Sequence, residues 1–222
     1  MITLLTWAAS TSSAPKPSEG QCRNCPSKGL GALGVDAAQV SDVIITHLHY
    51  DHIGNFALFP NATFHLQDRE MAYATGRHMA SPVMNHAYEV EDITAMVRRV
   101  YEGRVRFYDG DATLAPGISI HHVGGHTDGL QIVRVWTRLG WLVLASDATH
   151  YYANMEDARL FPIVFNVGAM VQGWQRCRDL ADQPQYVIPG HDPAVLQRYP
   201  AATPETMDWI ARLDCEPDAQ DE

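Results

Sequence analysis

The chain lacks a disulfide framework. Its four cysteines, Cys22, Cys25, Cys177 and Cys215, are irregularly spaced; only Cys22 and Cys25 stand at ligand separation, and no second pair completes a zinc knuckle. A reducing cytoplasm is therefore the expected compartment. No apolar run approaches the roughly 20 residues of a membrane-spanning helix, and the apolar start from Met1 to Ala9 lacks the basic residues that open a secretory signal. Basic residues are few, 16 against 26 acidic ones. The resulting formal charge of −10 argues against nucleic acid or an anionic membrane surface as partner. A nucleophile elbow is missing too, and so is any internal repeat.

What is present reads as a soluble globular protein. The chain is 46% hydrophobic and 19% charged over 222 residues, enough for one domain with a sizeable core. Residues 1–28 differ from the rest: the polar, proline-containing stretch Ser10 to Ser18 buries little, so this segment is expected to be disordered or loosely attached, with the folded domain spanning 29–222. A helical turn is expected at Gly34-Val35-Asp36. Strands are expected at 42–46, 63–67, 104–108, 118–123, 130–136, 141–145 and 186–188, the fifth and sixth as a hairpin through Arg138-Leu139-Gly140. Helical spacing covers 90–101 and 167–180, and Asp68 is placed as the cap of another helix.

The densest chemistry lies in Thr46-His47-Leu48-His49-Tyr50-Asp51-His52-Ile53-Gly54-Asn55, directly after the apolar run Val43-Ile44-Ile45. Four potential ligands fall within six residues. A strand continuing into the motif would turn His47 and His49 to one side, with Asp51 and His52 aimed at a neighbouring point. One ion cannot readily use all four groups, whereas two ions a few ångströms apart can. Imidazoles suit zinc, iron or manganese, and the carboxylate favours a catalytic site over a closed structural one. Further candidates follow other apolar strands: His126 after the paired glycines Gly124-Gly125, Asp147 in Leu144-Ala145-Ser146-Asp147, and His191 in Pro189-Gly190-His191. A carboxylate such as Asp147, ending an apolar strand, needs a cation to offset its burial.

In this order, His47, His49, Asp51, His52, His126, Asp147 and His191 resemble the ligand set of the metallo-β-lactamase-fold hydrolases, over about residues 30–200. The resemblance implies an α+β, four-layer αββα sandwich with two divalent ions, most simply Zn2+, with iron or manganese as alternatives. It assigns His47, His49 and His126 to one ion, Asp51, His52 and His191 to the other, and Asp147 to both. Two such cations lower the pKa of a water between them and polarise a carbonyl oxygen, and Asp51 is placed to carry a proton.

Asp147-Ala148-Thr149, the tyrosines after it and Asn154 are most similar to the N-acyl homoserine lactonase branch, which implies a small lactone or ester as substrate and a monomer or homodimer. Three departures stand out. Where lactonases carry a tyrosine that helps bind the lactone carbonyl, this chain has His150, so His150 or Tyr151 is expected in that role. Asp128-Gly129 replaces the usual proline and histidine after His126-Thr127. The two or three strands that open family members are not seen in 1–28, so the fold is expected to lack its first strands and to be less stable. Another lactone, a thioester of the glyoxalase II kind, or an inactive metal-binding remnant are the alternatives; β-lactam hydrolysis fits less well. An acyl chain would need an apolar groove, for which Phe56, Phe59, Met79 and Met84 are the candidates.

Overall fold

The computed structural model describes residues 26–207 and 209–217. Expectations about residues 1–25, the Cys22/Cys25 pair among them, lie outside the described residues. The first described helix starts at Pro26, inside the segment 1–28 set apart by composition. The helices are α1 (Pro26–Ala32), α2 (Tyr50–Ile53), α3 (Asp68–Ala74), α4 (Pro82–Asn85), α5 (Val90–Tyr101), α6 (Tyr152–Glu156), α7 (Val167–Leu180) and α8 (Ala194–Arg198). None is long and apolar enough to cross a membrane.

Two sheets form the centre. The first holds β1 (Asp42–Ile44), β2 (Thr63–Gln67) and β3 (Val105–Tyr108), all parallel, in that order. The second runs β4 (Ala112–Ala115), β5 (Ile118–His122), β6 (Gln131–Thr137), β7 (Gly140–Ser146) and β8 (Val187–Pro189), antiparallel until β8 joins β7 in parallel.

Alternation along the strands assigns each face to a layer. Leu142 and Leu144 of β7 pack with Ile118, Ile120 and Ile188 against Ile44 and Tyr108 of the first sheet. The intervening Val143 and Ala145 pack outward on Met170, Trp174 and Cys177 of α7. In the first sheet, Phe64 and Leu66 turn toward Ile93 and Met96 of α5. The order is helix, sheet, sheet, helix, the four-layer sandwich that the resemblance implies.

Local signals explain the helices. On α5, Glu91 and Asp92 in the first turn and Arg98 and Arg99 in the last complement the helix dipole. On α7, the Asn166 side chain accepts the Ala169 N–H at 3.0 Å, and Met170, Gly173, Trp174 and Cys177 form the buried stripe. Two expectations shift. Asp68 lies inside α3, and the residue at its N-terminal boundary is Gln67, without a side-chain capping bond. The turn read at 34–36 is instead a 3-10 turn at Ala37–Gln39, where the Asp36 side chain accepts the Ala38 N–H at 2.9 Å.

Polar groups between the sheets are fully used. Gln67 donates to Gln131 Oε1 at 2.8 Å, and Gln131 donates in turn to the carbonyls of Ile45 and His65. Both glutamines are completely buried. An unpaired amide there would cost about 1–3 kcal/mol, so this pairing helps hold the sheets in one register beside the histidine motif.

Candidate metal centre

The seven expected ligands converge at the ends of β1, β5, β7 and β8, on one edge of the sandwich. β1 stops at Ile44, so an extended strand does not carry His47 and His49 to one side. An irregular turn does so instead. The Leu48 N–H is taken by Glu70 Oε1 at 2.8 Å, and the Thr46 carbonyl accepts from Gln131 N at 3.0 Å. His47 thereby presents Nε2 and His49 presents Nδ1, 3.1 Å apart. The single turn of α2 then carries Asp51 and His52. Across the site, the loop after β5 brings His126 Nε2 to 2.9 Å from His49 Nδ1. Gly124 and Gly125 have φ of 64° and 89°, a region that side chains disfavour, which explains the paired glycines before His126.

Asp147 lies at the middle and is 2% exposed. Its Oδ2 is 3.2 Å from His126 Nε2 and 3.8 Å from His47 Nε2, while Oδ1 is 3.1 Å from both His52 Nε2 and His191 Nε2. Asp51 Oδ2 stands 3.6 Å from His52 Nε2 and 3.7 Å from His191 Nε2. Ser146, directly before Asp147, has φ of 46°. Such strain in a non-glycine residue persists where the surroundings over-determine it, and here Ser146 donates to Thr46 at 2.9 Å.

These donors suit a divalent cation. Two ligands at about 2.0–2.1 Å from a tetrahedral ion stand about 3.3 Å apart, close to the separations among His47, His49 and His126. The ligand atoms of His47, His49 and His126, and likewise those of Asp51, His52 and His191, lie within 4.8 Å of one another. Protonation states agree. Burial pushes His47 and His49 well below the usual imidazole value and His126 down to about 3, leaving neutral nitrogens. Burial alone would raise the Asp147 carboxyl, but the imidazoles around it outweigh that and hold it well below the carboxylate range. For His52, burial opposes the charge, yet Asp147 and Asp51 raise the imidazole above its ordinary value.

A pH dependence of the metal-free protein follows. Below pH about 6.5 the unfolded chain protonates His47, His49 and His126 while the folded site refuses those protons. Each such group removes up to about 1.4 kcal/mol per pH unit as the pH falls. His52, raised in the fold, acts in the opposite sense: its contribution is full below pH about 6.5 and is lost as the pH rises through its folded value. Thermal midpoints of chelator-treated protein should thus drop by at least ~5 °C between pH 6.5 and 5. A flat profile across that range would show that the three histidines are solvated.

The structure also brings in residues not singled out from the sequence. Glu70 is fully buried, and besides Leu48 N its carboxylate accepts from Thr127 Oγ1 at 2.6 Å, Gly129 N at 3.1 Å and Tyr88 OH at 3.3 Å. It ties the His47–His52 turn to the His126 loop. His150 is buried with Nε2 2.9 Å from Asp147 Oδ2, whereas Tyr151 is half-buried. Among the described residues Tyr151 makes no hydrogen bond to the seven; its ring lies 6.2 Å from that of Phe161.

Of the groove candidates, Phe56 belongs to the core under the first sheet and Phe59 packs against it, while Met79 and Met84 are half-buried beyond α3. An aromatic row reaches the site instead. Tyr88 packs on His49 at 4.6 Å, Tyr73 lies 6.0 Å from Tyr88, and Phe165 lies 4.8 Å from Tyr73.

Comparison with known proteins agrees with this architecture. N-acyl homoserine lactonase AttM of Azorhizobium caulinodans is 32% identical over 170 residues, 73% of this chain and 62% of the relative. The AttM of Rhizobium johnstonii is 32% identical over 176 residues, 77% of this chain and 65% of the relative. The chain thus spans a little under two thirds of these relatives. A crystal structure of a quorum-quenching N-acyl homoserine lactone lactonase superposes with a TM-score of 0.61 at 24% identity, covering 74% of this chain and 63% of that one. An N-acyl homoserine lactone hydrolase holding N-hexanoyl-L-homoserine at its catalytic metal centre gives 0.61 and 24%, covering 75% and 61%. At that identity these likenesses speak to the fold alone. The profile of the Metallo-beta-lactamase superfamily matches residues 9–202, and with that span the chain belongs to this superfamily.

Proposed function

We propose that this chain is a metal-dependent hydrolase that opens the ester of a lactone ring, with an N-acyl homoserine lactone as the best-supported substrate. The observation that carries the reading is the division of donors around one buried carboxylate, each oxygen of Asp147 facing a different set of imidazoles. In this reading His47, His49 and His126 hold one divalent ion, Asp51, His52 and His191 hold a second, and Asp147 serves both. Zinc is the simplest choice for such nitrogen-rich sets. Bound there, two cations would supply an activated water and a Lewis acid for the ester carbonyl.

The chain's own residues do the rest. The buried neutral imidazoles of His47, His49 and His126 keep their lone pairs free for an ion. Asp51, with 17% of its side chain exposed, is the carboxylate nearer the mouth. It can take one proton from the incoming water and return it to the ring oxygen as the ester C–O bond breaks, giving a single ring-opened hydroxy acid whose carboxyl proton passes to solvent. Tyr151, half-buried and next to His150, is the residue we assign to the substrate carbonyl, as the resemblance to lactonases implies. The half-buried rings of Tyr88 and Phe165, backed by the buried Tyr73, are the apolar wall this reading gives an acyl chain. The names of the AttM relatives support the substrate class. Cys177, a free thiol buried in the core, suits a reducing cytoplasm.

The test is metal content measured alongside turnover of homoserine lactones from hexanoyl to dodecanoyl, on the unsubstituted protein and on His126→Ala. The expected result is about two ions per chain, with hydrolysis that is lost in the variant. Metal without lactone turnover, but with turnover of a thioester, would overturn the substrate and keep the centre. Metal without turnover of any ester would favour an inactive remnant.

A further inference from the structure

His150 is surrounded by imidazoles that look equivalent to it. Its Nε2 stands 2.9 Å from an Asp147 oxygen, as the Nε2 atoms of His126, His52 and His191 do at 3.1 to 3.2 Å. By position alone it would be one more ligand, and its nitrogen lies within 4.8 Å of the His126 and Asp147 donor atoms.

The other ring nitrogen separates them. A histidine that binds a metal through one nitrogen carries its proton on the other, and that N–H nearly always finds an acceptor. His126 Nδ1 has the Ile163 carbonyl at 2.7 Å, and Nδ1 of His47 and of His52 lies 3.3 and 3.4 Å from Thr46 Oγ1, a hydroxyl oxygen with room for one such donor besides Ser146. Among the described residues, His150 Nδ1 is buried with no hydrogen-bond partner. Its ring is stacked between Phe161, at 3.4 Å and 10°, and His191, at 5.1 Å and 19°. Ligation through Nε2 would force a proton onto Nδ1 with nothing to receive it, the costlier of the two ways to leave that atom unpaired. The opposite tautomer leaves only a lone pair facing the packed rings and puts the proton on Nε2, where Asp147 Oδ2 accepts it.

We propose that His150 is a positioning residue of the metal centre, an Nε2–H donor that holds Asp147 Oδ2 in place and does not itself bind metal. The backbone around it is built for that task. The His150 carbonyl accepts from His191 N at 2.9 Å, the Thr149 carbonyl from Gly190 N at 3.0 Å, and the Ala148 carbonyl from Trp174 Nε1 at 2.7 Å. The ring is thus delivered by a segment pinned to both β8 and α7. A hydrogen-bonded Oδ2 is also a weaker electron donor than a free one, so the two sides of Asp147 are unequal by construction. The inference rests on the reading of the cluster as a metal centre.

The test compares the zinc-loaded protein with His150→Phe, which keeps the stacking, and His150→Gln, whose amide N–H reaches the place of Nε2. Chelator competition should show zinc held about 10- to 100-fold more weakly in the phenylalanine variant, with most of that loss recovered by glutamine. Nitrogen-15 NMR of the imidazoles in the unsubstituted, zinc-loaded protein should show a proton on His150 Nε2 and none on Nδ1. A zinc-bound His150 Nε2, a glutamine variant as weak as phenylalanine, or a phenylalanine variant with unchanged affinity would each overturn the proposal. If the unsubstituted protein binds no zinc, the metal-centre reading fails and this inference with it; if zinc binds normally, only the role of His150 is in question.

Discussion

Replacing Asp147 by asparagine is expected to remove bound metal and lactone hydrolysis together, with kcat/KM lowered by more than about 100-fold, the upper end for partners that merely orient a ligand. The reason is geometric. Among the described residues Asp147 is the carboxylate that meets both sets of imidazoles, Oδ2 toward His126 and Oδ1 toward His52 and His191, whereas Asp51 meets only His52 and His191. Asparagine keeps the shape and loses the charge. One of its two terminal positions becomes an NH2 group, a donor facing nitrogens that must themselves give lone pairs to an ion. A buried cation would then lack the anion that offsets its desolvation. Elemental analysis and steady-state kinetics on the same preparation test this, with a circular dichroism spectrum to show that the fold is retained. A variant that keeps its metal and its turnover would mean that the carboxylate is structural and that the ions, if bound, do not share it.

The seven candidate ligands, which the fold brings together, were legible in the sequence because each belongs to a chemically distinctive residue type set after an apolar strand. β2, α5 and α7 were legible to their end residues for a similar reason: alternation in Thr63–Gln67 and helical spacing in Val90–Tyr101 and Val167–Leu180 are periodic signals that local sequence contains. β4 was not read, since Ala112-Thr113-Leu114-Ala115 carries one β-branched residue and no long alternation. Glu70 was invisible for another reason. Nothing local distinguishes it from a solvated helix glutamate; its role comes from Leu48, Thr127 and Gly129, which the fold gathers from opposite sides in sequence. The Gln67–Gln131 bridge and the Tyr88–Tyr73–Phe165 row share that character. Chemistry carried by residue type could be read, whereas pairing between distant segments could not.

Gly129 shows how far that hidden pairing constrains the chain, and Gly129→Ala is expected to destabilise the protein by more than about 4 kcal/mol, in the range reserved for a specific steric fault. A Cβ built at Gly129 would lie 2.1 Å from Glu70 N, 2.3 Å from its Cα and 2.4 Å from its Cβ. Those atoms belong to the backbone and root of α3, so no rotamer change can make room; either α3 or the loop must move. The loop cannot move freely, because Gly129 N and Thr127 Oγ1 both donate to the Glu70 carboxylate that also receives Leu48 N. Displacing it therefore loosens the turn carrying His47 and His49 along with the loop carrying His126, and metal affinity should fall with stability. In a domain of this size the thermal midpoint should drop by at least ~8 °C. Gly34→Ala is the matched control: its φ is +73°, with nothing within 4 Å of the added carbon. It should cost only the left-handed backbone penalty of about 1–2 kcal/mol and leave metal binding unchanged. Equal, small shifts for the two variants would mean that the loop has room to retreat from α3, and that Asp128-Gly129 is not what holds the His126 side of the site in place.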